Sequence, residues 1–142
     1  MEILTQFEQT LLAKFLEGDH PVLATLREQV ATVIVTDRDY SPVGVNAYLA
    51  VSDRAPRTSP STIDLTDVAF QFEDADNPGH AVLMVRDGAL HELMVYNWTD
   101  VWPARPGLKV KWVKYLSPNR EGSTGRPSDQ RDMVGLAQEL AA

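Results

Sequence analysis

Three histidines, His20, His80 and His91, together with Glu92 and Asp100, are the side chains best suited to acid–base or metal chemistry in this chain. Imidazole titrates near neutrality and is the commonest metal ligand, and a carboxylate held among apolar neighbours acquires the raised pKa that suits it to proton transfer. Beside the two carboxylates stand Tyr96, Trp98 and Trp102, with Trp112 and Tyr115 further on, rigid rings that supply large contact area at small entropic cost. Glu92, Tyr96, Trp98, Asp100 and Trp102 are therefore the candidate binding residues. They suit an apolar cleft or a partner's anchor; the plainer alternative is that the rings close one end of the core. No catalytic residue is assigned.

Other chemistries find little support. The chain has no cysteine, which removes disulfides, thiolate metal sites and a cysteine nucleophile together. There is no Gly-x-Ser-x-Gly elbow, no Walker loop and no Gly-x-Gly-x-x-Gly turn. Adjacent strand residues point to opposite faces, so His91 and Glu92 do not form a dyad. No cofactor and no metal are expected.

These residues are positioned by a hairpin. Asp87-Gly88 joins two apolar runs, His80–Arg86 and Ala89–Tyr96, and a type I′ turn needs the positive φ that both turn residues tolerate. With those two residues as the turn, Arg86 pairs with Ala89, Leu83 with Glu92 and His80 with Val95. One face then carries Ala81, Leu83, Val85, Leu90, Glu92, Met94 and Tyr96, and the other His80, Val82, Met84, His91, Leu93 and Val95. In that register His80 and His91 stand about 13 Å apart at roughly 3.4 Å per residue, too far to share a metal ion.

Before the hairpin, Thr5 and Glu8 have the spacing of a capping box, Phe7, Leu11, Leu12, Phe15 and Leu16 form an apolar stripe, and Gly18 ends a first helix. Asp19 or His20 caps a second, with Pro21 in its first turn. β-Branched residues follow at 32–36, then strands at 45–51, 63–65 and 68–72. Residues 52–62 have the composition of a mobile loop. Leu108, Val110 and Trp112 alternate with Lys109 and Lys111, the pattern of an edge strand with the apolar side chains inward. Residues 117–130 read as flexible, and Met133, Leu136 and Leu140 mark a short last helix that docks on the body or on a second copy. The sum is one α+β domain spanning 1–142: an N-terminal helical hairpin packed on a mainly antiparallel sheet of five to six strands, with a short C-terminal helix.

Net charge is −7 and unevenly placed: residues 1–78 hold 13 acids and 5 bases, residues 79–142 hold 7 acids and 8 bases. Phosphate backbones repel such a chain, so no nucleic-acid partner is expected. No apolar run approaches the ~18 residues of a membrane span and no signal peptide is evident, so the expected address is cytoplasmic.

Gly18-Asp19-His20-Pro21-Val22-Leu23, Val43-Gly44, Gly79 to Gly88 and Trp102-Pro103 together resemble a group of small bacterial proteins of unassigned function, over most of residues 5–115. The chain departs from the group's pattern at Val95 and Asn97, where glycine-containing sequence is expected. The resemblance implies a bacterial source and one helix-then-sheet domain, and it transfers no catalytic residue. The leading expectation is a non-catalytic protein-binding module of the immunity or accessory type, with a homodimer left open. The alternative is a small-molecule site or enzyme with a pocket near Glu92 and the Trp98–Trp102 loop.

Overall fold

Helix α1 (Gln6–Phe15) starts where its capping residues dictate: the Thr5 hydroxyl accepts from the Glu8 N–H at 3.1 Å and the Glu8 carboxylate accepts from the Thr5 N–H at 2.8 Å. It ends at Phe15, capped by Leu16, and the chain turns at Gly18, whose φ of +128° suits glycine and whose missing side chain leaves room for Met133, 2.9 Å from where a Cβ would sit. His20 caps helix α2 (Pro21–Gln29), its Nδ1 accepting from the Val22 N–H at 3.1 Å. A 3-10 turn, Val30–Thr32, leads into the sheet. These elements belong to a computed structural model that describes residues 2–97, 109–117 and 126–141.

The sheet is wholly antiparallel and seven-stranded: β1 (Ile34–Ser41), β2 (Gly44–Ala50), β3 (Ile63–Phe72), β4 (Gly79–Arg86), β5 (Ala89–Asn97), β6 (Val110–Ser117) and β7 (Arg126–Ser128), in the spatial order β1-β2-β5-β4-β3-β6-β7. The β4–β5 hairpin is thus inserted between β2 and β3. The short C-terminal helix expected from Met133, Leu136 and Leu140 forms as α3 (Met133–Leu140), and it docks on the body beside α1 and α2, so the helical layer holds three helices among the described residues. Leu11, Phe15, Leu23, Leu26, Leu136 and Leu140 pack in one core with Ala81, Leu83, Val85, Leu93 and Val95 of the central strands. That one shared cluster places all three helices on the same face of the sheet. Among the described residues no helix is long and apolar enough to cross a membrane.

Three local readings are corrected. The sheet has seven strands where five to six were expected, because β7 is three residues long and carries no apolar alternation. Strand β6 is internal, flanked by β3 and β7; a bulge opposite Gln71 and Phe72 leaves Val110 beside Phe72 but pairs Trp112 with Gln71, turning Trp112 away from the helices. Residues 52–62 are docked: Gln29, fully buried at the end of α2, donates to the carbonyls of Pro56 (2.7 Å) and Gly88 (2.8 Å) and accepts from the Leu90 N–H (2.9 Å). The Thr58 N–H also donates to Gly88, at 3.0 Å. A buried side chain distant in sequence therefore clamps this loop to the tip of the hairpin.

The free edge of β1 is blunted. Glu2 forms a two-way bridge with Val35, and the Asp37 carboxylate accepts the Arg38 N–H at 2.9 Å. Arg38 holds this corner, donating to Glu8 (2.7 and 3.1 Å), to the Ile3 carbonyl (3.2 Å) and to Glu2. These contacts lift the Arg38 pKa above its ordinary value, chiefly through the Glu8 hydrogen bond, with burial opposing.

Candidate functional site

The Asp87-Gly88 turn forms as expected, with φ of +53° and +75°, and Arg86 pairs with Ala89 and Val85 with Leu90. The register then slips by one. Met84 faces Glu92, Leu83 faces Leu93, Ala81 faces Val95 and His80 faces Tyr96, so His91 is the extra, exposed residue of a bulge. The slip exchanges the faces of every residue after it. Leu93 and Val95 enter the core, whereas Glu92, Met94 and Tyr96 leave it.

On the face away from the helices, β5 therefore presents Glu92, Met94 and Tyr96. Strand β4 adds His80, Val82 and Met84, β2 adds Asn46 and Tyr48, and β6 adds Trp112 and Lys114. Nearly all are partly buried, in contrast to the fully buried core residues that alternate with them. Their apolar character comes from the hairpin being apolar at every position rather than at alternate ones.

The candidate residues are only partly brought together. Glu92 is buried between Met84 and Tyr48, not opposite Leu83, and Tyr96 lies beside His80, ring centres 6.0 Å apart. Four residues separate Glu92 from Tyr96 on one strand, about 13 Å at roughly 3.4 Å per residue, so the two do not converge on one reacting atom. The same spacing separates Glu92 from His80. Trp98, Asp100 and Trp102 lie outside the described residues. Burial holds the His80 imidazole below its ordinary value of 6.5, against the opposing pull of a hydrogen bond to the Thr66 backbone. Among the described residues no three of His, Asp and Glu stand close enough to hold a metal ion.

The sequence reading put His80 and Met84 on one hairpin face and Met94 on the other with Glu92 and Tyr96, and did not place Tyr48; the slip brings all of them to one surface. The signal was present in the two apolar faces of the hairpin, but the bulge that sorts them has no residue signature. The sequence reading also missed Asn97. Its side chain, 3% exposed, has neither amide atom hydrogen-bonded among the described residues, and its Oδ1 would lie 2.7 Å from a Cβ on Gly79. Gly79 is required there, since the same Cβ would also meet the Phe70 ring at 2.3 Å.

Among the described residues, cavities are bounded away from this face. One of about 590 Å³ lies between α1 and the end of α2, and one of about 260 Å³ lies at the β1 edge by Arg38 and Tyr40; neither includes Glu92 or Tyr96. A scan against models of protein families finds no match, and neither do searches of curated proteins and of solved structures.

Proposed function

We propose that the chain is a non-catalytic protein-binding module, and that the sheet face opposite the helices is the surface it offers. One observation carries this reading: after the bulge at His91, Met84, Met94, Tyr48 and Tyr96 share the face that none of the described helices covers. Aromatic rings and methionine are the side chains enriched in the cores of protein interfaces, and methionine adapts to irregular partners. The spread of Glu92, His80 and Tyr96 along the strands favours binding over proton transfer. The same proposal places the chain with the small bacterial proteins whose Val-Arg-Asp-Gly turn it shares.

Capture from a lysate of the source cell, compared between the wild type and variants, tests it. A partner retained by the wild type and by Val134→Lys, on exposed α3, should be lost with Met94→Lys and with Met84→Lys. Equal capture by all four proteins, or no capture at low and high salt alike, overturns the proposal.

A further inference from the structure

We propose that the partner protein meets this chain with an arginine, its guanidinium paired to Glu92 and laid against Tyr48 and Met84. The inference rests on the sheet face being the docking surface and names the chemistry of what docks there. Glu92 stands on β5, two strands in from the β1 edge, and is 9% exposed. Tyr48 of β2 is directly opposite it on one side and Met84 of β4 on the other. Opposed side chains on antiparallel strands lie about 5 Å apart, so the carboxylate sits between a phenol ring and a thioether.

Three carboxylates are buried among the described residues, and two of them hold an arginine: Glu8 meets Arg38 and Asp67 meets Arg131, each at 2.7 Å. Glu92 is the third. Among the described residues it meets neither a cation nor a hydrogen-bond donor. A carboxylate nine-tenths covered has given up much of its hydration, and this fold supplies nothing in exchange. Its oxygens still touch solvent, so a visiting group can reach them.

The charge around it has one sign. Asp37 and Asp39 of β1 pair with Tyr48 and Asn46 on the same face, and neither is joined to a cation. With strands roughly 4.8 Å apart, Asp37 stands about 10 Å from Glu92. Arg38, between the two aspartates, turns to the helical side and is held there by Glu8, Glu2 and the Ile3 carbonyl. Arg86, on the same face beyond Met84, is committed to Asp64 at 2.8 Å and to the carbonyls of Ile63 and Val85. Lys114 lies at the far end, its Nζ 5.9 Å from the centre of the Trp112 ring. A cation therefore meets unanswered negative charge here. Guanidinium suits the place better than ammonium: it is flat, sheds water more readily, stacks on a phenol ring and can engage both carboxylate oxygens at once.

The methionines report on the site. In protein carrying 13C-labelled methionine methyls, Met84 and Met94 lie on this face, and Met133, in the helical layer, is the internal reference. The probe is the tripeptide acetyl-Leu-Arg-Leu-amide, compared with its citrulline counterpart, which keeps the shape without the charge, and its lysine counterpart. The arginine probe should shift Met84 and Met94 saturably and leave Met133 in place. Citrulline in the probe, or Glu92→Gln in the protein, should each weaken binding by about tenfold or more, the loss of a hydrogen bond to a charged group. Lysine should bind more weakly than arginine, and Glu28→Gln, an exposed acid on α2, should change nothing. Because Glu92 holds no group of its own chain, Glu92→Gln should unfold at a urea concentration no lower than the wild type does.

Equal binding of the citrulline or lysine probe overturns the proposal. So does binding that ignores Glu92→Gln, that falls as far with Glu28→Gln, or that is absent at tens of millimolar probe. A lower urea midpoint for Glu92→Gln gives Glu92 a structural role and overturns it as well. A dimer seen by light scattering and dissolved by Glu92→Gln assigns the site to a second copy, with the same consequence. Partner capture lost with Met94→Lys but kept in full with Glu92→Gln leaves the docking face standing and removes the arginine alone.

Discussion

Arg27 and Arg131 approach the C-terminal end of α1 from two sides and between them take four consecutive carbonyls. Arg27 donates to Leu16 and to Gly18 (3.0 Å), and Arg131 donates to Phe15 and Glu17 (both 2.7 Å). The Phe15 and Leu16 carbonyls belong to the end and cap of α1, where a helix lacks intrahelical donors and a cation meets the favourable end of the macrodipole, and the Glu17 and Gly18 carbonyls follow directly in the turn. Arg131 reaches further. Its Nε and Nη2 donate to the carboxylate of Asp67 on β3, at 2.7 and 3.0 Å, with both side chains at most 4% exposed. Its guanidinium also lies 4.9 Å from the centre of the Tyr115 ring.

Removing Arg131 should therefore strand a buried carboxylate. Arg131→Met is expected to cost about 3–5 kcal/mol, the range for breaking one partner of a buried pair, while Asp67→Leu combined with Arg131→Met should recover a substantial part of that loss. Urea unfolding of the single and double variants measures both. A single-variant loss below about 1 kcal/mol would show that the pair does not hold the segment leading into α3 against β3.

Gln29 makes a second prediction because it joins α2, the 52–62 loop and the hairpin tip through one amide. Gln29→Met keeps the volume but leaves the Leu90 N–H without its acceptor, for an expected cost of about 2–3 kcal/mol. The loop should loosen at the same time, exposing the bonds after Arg54 and Arg57 to trypsin. Unchanged cleavage kinetics would mean that the loop is held by other contacts.

The bulge at His91 is tested by two neighbours on β5. Leu93, fully buried, should lose about 2–5 kcal/mol on replacement by alanine, whereas Met94→Ala, partly buried on the face away from the described helices, should cost less than about 1 kcal/mol. A hairpin without the bulge reverses that order. Denaturant midpoints of the two variants are enough to decide.

His80 gives the fold an acid-side dependence. Its folded pKa lies below the ordinary 6.5, so between those values the unfolded chain binds more protons than the folded one, and stability falls as pH drops below about 6.5 until the folded value is passed. His80→Gln should remove this component. The stability difference between wild type and variant should then change between pH 7.5 and 5.5, with the wild type losing more on acidification. A difference independent of pH contradicts the shift.

Much of the scaffold was legible in the residues. Thr5 with Glu8, Gly18, His20 with Pro21 and Asp87-Gly88 each act within a few positions of themselves, and each does what its type dictates. What escaped was decided over longer distances. The bulge at His91 places Leu93 rather than Glu92 under the helices, a choice made by core packing. The order of residues 52–62 depends on Gln29, 27 positions from Pro56 and 59 from Gly88, and no local composition could announce it. The candidate surface was half visible for the same reason. Glu92 and Tyr96 were singled out, but Tyr48 reaches their face only through the pairing of β2 with β5.

Strand order also bears on how the polypeptide is made. β2 and β3 follow one another along the chain, yet they flank the β4–β5 hairpin from opposite sides. On a translating ribosome, residues up to Phe72 emerge as two fragments whose inward edges both lack a neighbour, and neither can be completed until Asn97 has cleared the exit tunnel. Nascent chains stalled before that point should keep both inward edges open and engage chaperones, and those two edges should close together when the hairpin slots home, with β6 still to be added on the outer side of β3.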